Sequence, residues 1–350
     1  MFAMSKNDLP NLDFLRSFAV LLVAVAHFIT YYTGGTARGW MGLTGVCMFF
    51  IHTCLVLMWS LERDPHTGRF YVRRWFRLFP LWLVVLAFIV IFKVPTSPAA
   101  GPHFGYVAPS LPELLANATM TFNFHFGARV VGASWTLPIE ADMYVLLPML
   151  FFFVRSTRSL WPLLLIDSLV ILCIYGTYGI HRNPIVTFPV CIPYFLPGVM
   201  AYALYKKQVT PIVPAWAFPV FLAIMAAIHY RYGNYTISSY WCLVIGLTLP
   251  YFRELTWRPM TITAHQIARY SYGIYLCHLP CIWLGMHFFN RYGLVPEIGV
   301  AILAVSISSV TLYHLVEAPM IRFGGRLAKK LDPGPGPRMD ETTLSLEPAP

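Results

Sequence analysis

One apolar stretch of the sequence, residues 13–32, contains an arginine and a histidine, Arg16 and His27. At about 100° per residue, their spacing amounts to roughly three full turns plus 20°, so both side chains project from one face of a helix. Their Cα atoms would lie about 16 Å apart along the axis, roughly half the hydrocarbon thickness of a bilayer. This face therefore presents a fixed cation near one membrane surface and a titratable imidazole deep inside.

Such side chains are costly in hydrocarbon, and they usually face a protein interior or a watery cavity in which they serve a function. Taken singly, Arg16 is equally consistent with a snorkelling residue at a helix end, and His27 with a hydrogen bond to a neighbouring helix. Together on one face they favour chemistry, because an imidazole exchanges protons near neutral pH.

A second basic cluster, RRWFRLFP at residues 73–80, leads into another apolar segment. Arg74 and Arg77 are three residues apart, so they share a helix face and form a fork suited to phosphate groups, with Arg73 as an additional charge. The alternative is that these basic residues at a cytoplasmic helix end interact only with anionic lipid.

Two carboxylates, Glu140 and Asp142, occur in the otherwise apolar stretch SWTLPIEADMYVLLP, residues 134–148. A carboxylate in a membrane segment is expected to pair with a cation or a histidine, and Glu140 is the best candidate to orient the ring of His27. The alternative is an interfacial anchor in which Trp135 and Tyr144 lie at the level of the lipid headgroups.

Two more polar clusters lie near the C-terminal end. In RYSYGIYLCHLP, residues 269–280, His278 follows Ser271 by about two helical turns, and it fits a satisfied interior histidine as well as a catalytic one. In YHLVEAPMIR, residues 313–322, Glu317 is a candidate counter-ion for Arg16 or Arg77. Asp13 competes with Glu317 as the partner of Arg16.

The composition predicts a polytopic membrane protein. Of 350 residues, 57% are hydrophobic and only 11% are charged, against about 25% charged in a typical soluble protein. The seven cysteines are odd in number and match neither a zinc site nor a disulfide framework, so we expect no metal. The predicted fold is all-α, with ten spans around a polar cavity. The expected spans are 13–32, 42–61, 78–93, 138–154, 160–179, 185–205, 212–229, 237–251, 270–289 and 296–316.

Ten spans place both termini on one side, and the distribution of Lys and Arg identifies that side. With Arg16 left inside the first span, 18 of these residues fall on the side of the termini and 6 on the other. The positive-inside rule therefore predicts cytoplasmic termini. The predicted organisation is a cytoplasmic lead, a transmembrane domain and a disordered cytoplasmic tail, at residues 1–12, 13–328 and 329–350.

Taken together, these clusters resemble the acyltransferase-3 family of membrane acyltransferases, from about residue 10 to 328. Five motifs occur in the family's order: an Arg and a His separated by ten residues, an R-x-x-R element, a serine–tryptophan and carboxylate block, an S-Y-x-x-Y-L-x-H block, and a final E-x-P. The matching residues are Arg16, His27, Arg74, Arg77, Ser134, Trp135, Glu140, Ser271, Tyr275, His278 and Glu317. The stretch TLPIEADMY departs from the family pattern at Pro138 and Asp142. No soluble hydrolase-like domain follows, so we expect any acyl relay to use this domain alone.

The resemblance implies a bacterial inner-membrane enzyme that binds acetyl-coenzyme A or another acyl-coenzyme A from the cytoplasm. It further implies transfer of the acyl group to a hydroxyl of a surface glycan or lipid-linked saccharide. It assigns the key role to His27, as base or acyl carrier, and donor binding to the arginines. A small-molecule or lipid-headgroup acceptor remains an alternative. So does a proton-coupled transporter in which the buried polar residues relay protons.

Overall fold

Helices make up nearly all of the chain that the structure, a computed structural model, describes. It describes residues 9–33, 40–98, 104–106, 108–125, 129–157, 159–178 and 188–331. The helices are α1 (Pro10–Tyr32), α2 (Trp40–Arg63), α3 (Thr67–Ile91), α4 (Leu111–Ala118), α5 (Phe122–His125), α6 (Thr136–Thr157), α7 (Trp161–Tyr178), α8 (Phe188–Lys206), α9 (Ala217–Tyr232), α10 (Tyr235–Thr248), α11 (Arg258–Phe289), α12 (Leu294–Leu312) and α13 (Ala318–Lys330). Short 3₁₀ turns cover Gly132–Trp135, Leu249–Tyr251 and Asn290–Tyr292, and a π-helical turn covers Tyr313–Glu317. Two-residue strands, β1 (Ser97–Pro98) and β2 (Phe104–Gly105), pair antiparallel.

The predicted all-α class is confirmed, and each predicted span overlaps a helix, although residues 179 and 185–187 of those spans lie outside the described residues. Two helices begin well before the predicted span, α3 at Thr67 and α11 at Arg258. Their first turns are polar, so an apolar window misses them. Within the described residues, six helical segments are long and apolar enough to cross a membrane. These are Pro10–Tyr32, Trp40–Arg63, Thr67–Ile91, Gly132–Thr157, Phe188–Lys206 and Leu294–Lys330.

The count of ten spans and the cytoplasmic location of the termini stay predictions. The lead up to residue 8 and the tail from residue 332 lie outside the described residues. Reporter fusions at the tail and near residue 105 are the measurement that checks the orientation. We expect activity in the cytoplasm for the tail fusion and outside it for the loop fusion, and the reverse pattern would contradict the positive-inside assignment.

Helix α2 lies at the centre of the bundle, and small residues let its neighbours approach it closely. A Cβ on Gly45 of α2 would lie 2.7 Å from the Val23 side chain of α1. A Cβ on Gly198 of α8 would collide with the backbone carbonyl of Ile51. Close backbone approach at small residues is a main source of helix association in membranes. Gly45 and Gly198 thereby allow α1 and α8 to pack closely against α2.

The segment at residues 94–137, between the third and fourth predicted spans, is anchored to α3 by hydrogen bonds. Its described residues include α4 and α5, and a Ser110–Glu113 capping box starts α4. The indole of Trp82 donates to the Asn117 carbonyl at 2.8 Å. Asn117 in turn accepts from the Val130 backbone N–H at 3.2 Å, so the segment leads back to α6 along a defined path.

Helix α7 carries a carboxylate, Asp167, that is almost fully buried, and both of its oxygens lack a hydrogen-bond partner within the described residues. A buried polar group without a partner costs about 1–3 kcal/mol. We therefore expect Asp167→Val to raise the thermal transition of the purified protein, with acyl transfer unchanged. A lower transition temperature would show that the carboxylate contributes a stabilising interaction.

Candidate active site

Three polar pairs join α1 to α11. From the N-terminal ends onward they are Asp13–His265 (2.8 Å), Arg16–Ser271 (2.6 Å) and His27–His278 (3.1 Å). The partners occur in the same order along both helices, so α1 and α11 run parallel. The polar faces of α1 and α11 that the sequence indicated therefore meet in one interface. Arg16 and His27 of α1 each contact a polar residue on the facing side of α11.

Hydrogen bonds define the tautomers of the two histidines. Nδ1 of His278 lies 2.7 Å from the Tyr275 carbonyl, which only accepts, so this nitrogen carries the proton and Nε2 of His278 is an acceptor. Nδ1 of His27 lies 2.9 Å from the Val23 carbonyl and 3.1 Å from that acceptor, so it carries the proton of His27. Nε2 of His27 keeps a lone pair and makes no hydrogen bond to any described residue. A general base needs such a lone pair.

An inner cavity of about 60 Å³ lies beside the α1–α11 interface. Its polar lining comprises Arg16, Thr53, Arg77, Thr136, Glu140, Tyr144, Ser271, Tyr272 and Tyr275. Tyr275 connects this cavity to the histidine pair, because its ring centroid lies 5.9 Å from that of His278. The site thus combines cations, a carboxylate and hydroxyls in a space walled by apolar helices.

Tyrosine hydroxyls fix the walls of the inner cavity. The Tyr275 hydroxyl donates to the Ala133 carbonyl and lies 2.6 Å from Oγ1 of Thr136, which donates to it. The Tyr272 hydroxyl donates to the Leu78 carbonyl at 2.7 Å. These bonds tie α11 to α3 and to the start of α6, so the lining residues are held by their neighbours.

Glu140 lies in the inner cavity, but it does not hold the ring of His27. Its carboxylate accepts a hydrogen bond from the Tyr144 hydroxyl one turn along α6, at 2.5 Å. The ring of His27 is oriented by the Val23 carbonyl and by His278 instead. The expectation that Glu140 orients His27 is therefore corrected: a histidine of the neighbouring helix occupies that position.

A second, wider cavity opens on the side of the α1 N-terminus, and it has Arg16 and Arg77 in common with the inner one. This mouth has a volume of about 690 Å³ and is also lined by Arg63 and Arg269. Nδ1 of His52, a buried lining residue, has no hydrogen-bond partner within the described residues. The two shared arginines therefore stand at the boundary between an open basic mouth and an enclosed polar cavity.

Arg77 is held at this boundary by a salt bridge to Glu317. The Glu317 side chain is fully buried, and its Oε2 has no partner within the described residues. Glu317 lies in the π-helical turn, in which the Ala318 N–H bonds to the carbonyl of Tyr313. π-Helical turns occur frequently at functional sites. Of the two cations proposed for Glu317, the structure selects Arg77, while Asp13 pairs with His265 rather than with Arg16.

The remaining predicted residues lie outside the two cavities. Arg73 pairs with Asp64 at 2.6 Å, and Arg74 buries an Nε without a hydrogen-bond partner in the described chain. Ser134 is buried and donates to the Val131 carbonyl at 2.7 Å, which shapes the turn before α6, and Trp135 ends that turn. Neither Arg74 nor Ser134 lines the inner cavity, so their direct roles stay predictions.

The sequence interpretation missed several residues that the structure brings to the site. His265 escaped notice because it lies before the predicted start of the span that became α11. His52 is isolated within an apolar run, so no spacing marked it. Thr136 and Tyr144 flank Glu140, and the four-residue spacing between Glu140 and Tyr144 was a readable signal for a pair on one helix face.

Comparison with known proteins gives a matching family and several relatives. The acyltransferase-3 family model, described as an acyltransferase domain, matches residues 9–314. The chain is 26% identical over 368 residues to the O-acetyltransferase OatA of Staphylococcus aureus. That alignment covers 91% of this chain but 58% of OatA, so the activity of the whole relative does not follow for this chain.

Two other relatives carry related names. ORF330 of the Acidianus two-tailed virus, named as an acetyltransferase, is 23% identical over 301 residues, which cover 79% of this chain and 84% of the viral protein. The acyltransferase MdmB of Streptomyces mycarofaciens is 31% identical over 167 residues, or 44% of this chain and 42% of MdmB. No solved structure matches the chain significantly.

Proposed function

Because the chain belongs to the acyltransferase-3 family and is an integral membrane acyltransferase, we propose that it transfers an acetyl group from acetyl-coenzyme A to a hydroxyl of a surface glycan or lipid-linked saccharide. The observation that carries the proposal is the order of groups along one helix face. Arg16 stands at the boundary of the two cavities, and the free Nε2 of His27 follows about 16 Å further along α1.

Coenzyme A has a matching order of groups. Its phosphates lie at one end and its thioester at the other, joined by an extended arm. Arg16 and Arg77, with the basic mouth beside them, are suited to the phosphates, because charge-assisted hydrogen bonds from guanidinium groups to phosphate are strong and directional. The arm then leads past Tyr275 toward His27. We place the donor on the side of the α1 N-terminus, which the Lys and Arg distribution predicts to be cytoplasmic.

In the chemical step, Nε2 of His27 takes the proton of the acceptor hydroxyl while the hydroxyl oxygen attacks the thioester carbonyl carbon. The tetrahedral intermediate collapses with cleavage of the C–S bond, and the proton on His27 passes to the leaving thiolate. The ester and free coenzyme A are then the products, and His27 is again neutral. Throughout these steps, Nε2 of His278 accepts a hydrogen bond from the Nδ1–H of His27. This bond holds the ring of His27 in place and stabilises its imidazolium form.

Transfer of an acetyl group to a hydroxyl oxygen is supported by the O-acetyltransferase name of the relative that aligns with 91% of this chain, and the glycan is what we propose as the carrier of that hydroxyl. The test uses the full chain in proteoliposomes with radiolabelled acetyl-coenzyme A, together with mass spectrometry of surface glycans from cells with and without the gene. We expect slow thioester hydrolysis by the pure protein and loss of an acetyl mass from a glycan in the deletion strain. An unchanged glycan profile accompanied by a lost acetyl mass on a small molecule would overturn the glycan assignment.

A further inference from the structure

A basic groove lies outside both cavities, between the α2–α3 loop, the first turns of α3, and α13. Its volume is about 1030 Å³, and among the described residues it has only Arg63 in common with the mouth. Six cationic side chains line the groove: Arg63, Arg69, Arg73, Arg322, Arg326 and Lys329. Neither the proposed reaction nor the family motifs assign a role to α13 or to this groove.

Among the described residues, the groove has one carboxylate for its six cations. Asp64 is the carboxylate in its described lining, and it already pairs with Arg73 at 2.6 Å and with Arg69 at 3.5 Å. Burial raises the pKa of Asp64, but the hydrogen bonds from Arg73 and the His66 backbone, together with the charges of Arg73 and Arg69, outweigh it, and the pKa falls below its ordinary value. Asp64 is therefore ionised at neutral pH and still leaves most cations uncompensated. Nη2 of Arg73 is buried without a partner in the described chain.

The surroundings of the groove are those of a membrane surface. Helix α12 is apolar and mostly outward-facing, and α13 continues from it with basic residues on one face and apolar residues on the other. Phe323 and Leu327 of α13 are 46% and 37% exposed. Amphipathic helices with basic and apolar faces commonly bind at the membrane–water interface. Gly324 packs α13 tightly against Phe76 of α3, so the groove has two fixed walls.

We infer that this groove binds the phosphodiester headgroup of an anionic phospholipid, with the acyl chains lying along Phe323 and Leu327. A phosphodiester supplies the anion that the cations lack, and guanidinium groups on opposite walls can donate to its oxygens together. The exposed apolar side chains favour a lipid over a water-soluble phosphate, because a soluble ligand leaves them without apolar contact. This inference is independent of the acceptor proposed above.

The sharpest test fills the groove without changing its charge. Gly325 lines the groove, and a Cβ placed there meets no atom within 4 Å, so Gly325→Trp projects an indole into the space. The helix tolerates the change, since glycine is the poorer helix former. Gly299 of α12 also has open space around its Cβ position, and Gly299→Trp is the matched control.

Native mass spectrometry of the full chain in detergent counts retained lipid, with phosphatidylglycerol as the anionic probe and phosphatidylcholine as the zwitterionic one. We expect the parent and Gly299→Trp to retain one phosphatidylglycerol at concentrations at which phosphatidylcholine is lost. We expect Gly325→Trp to weaken that retention at least tenfold, with an unchanged thermal transition. Equal retention by Gly325→Trp, or no preference for phosphatidylglycerol in the parent, would overturn the site.

Two triple variants that remove positive charge, one in the groove and one elsewhere on the surface, form the second test. They distinguish lipid binding in the groove from a general effect of surface charge and from binding of the acyl donor. Replacing Arg322, Arg326 and Lys329 by glutamine should abolish phosphatidylglycerol retention. The same replacement at the exposed residues Arg155, Lys207 and Arg258 should leave it intact. Coenzyme A binding should survive in both triple variants. Loss of coenzyme A binding in the groove variant alone would assign the groove to the nucleotide of the donor and overturn the lipid inference.

Discussion

Replacing His27 by glutamine is expected to lower acyl transfer by about 10²- to 10⁴-fold, the usual contribution of a general base. Glutamine retains a hydrogen-bonding group toward the Val23 carbonyl and His278 but cannot take a proton. The fold and donor binding should therefore persist while turnover is lost. The measurements are single-turnover transfer from radiolabelled acetyl-coenzyme A, a coenzyme A titration and the thermal transition, made on the same preparation.

The matched control is His287→Gln, on the exposed part of α11 away from both cavities. It should retain parental transfer. Near-parental turnover in His27→Gln would show that the histidine is structural, and the proposed base would be wrong. A variant that fails to bind coenzyme A would instead indicate that His27 shapes the donor site, which the geometry does not predict.

Replacing Arg77 by lysine is expected to weaken coenzyme A binding by roughly 10- to 100-fold. Lysine keeps the positive charge opposite Glu317, but it loses the fork that lets one guanidinium hold Glu317 and a phosphate at once. One charge-assisted hydrogen bond is worth about 1.5–3 kcal/mol, which is the source of that range. Isothermal titration with coenzyme A measures the change, and Arg129→Lys, at an exposed position, is the control.

Arg77→Ala is less informative, because it leaves a fully buried carboxylate without its cation. Removing one partner of a buried pair typically costs about 3–5 kcal/mol in stability. The alanine variant would therefore lose donor binding through unfolding as well as through lost contact. Unchanged coenzyme A affinity in a stable Arg77→Lys protein would show that these arginines serve only membrane orientation.

Relations within one helix were predictable from the sequence, and relations between helices were not. The spacing of Arg16 and His27 follows from the helical period, and so does that of Ser271 and His278. The two polar faces meet only because α1 and α11 pack side by side with a particular shift along their axes. A single sequence contains no signal for that shift. For the same reason, the sequence predicts Glu140 as the residue that orients the ring of His27, whereas His278 has that role in the structure.

Apolar windows located the helices but not their polar beginnings. α11 extends twelve residues before the predicted span, and this extension carries His265 to Asp13. α3 likewise starts early, so that Arg73, Arg74 and Arg77 belong to the helix itself rather than to its edge. These turns escape detection because their residues are polar and many of them are exposed, so a window of apolar residues begins only after them.

The π-helical turn at Tyr313–Glu317 has a consequence for how the family can vary in length. An extra residue accommodated in one turn shifts everything after it by about 100° relative to an uninterrupted α-helix. Deleting one residue there would restore the regular helix, swing Glu317 away from Arg77 and turn the basic face of α13 off its groove. Insertions and deletions in this turn should therefore be far rarer among descendants of this sequence than in the break between α3 and α6.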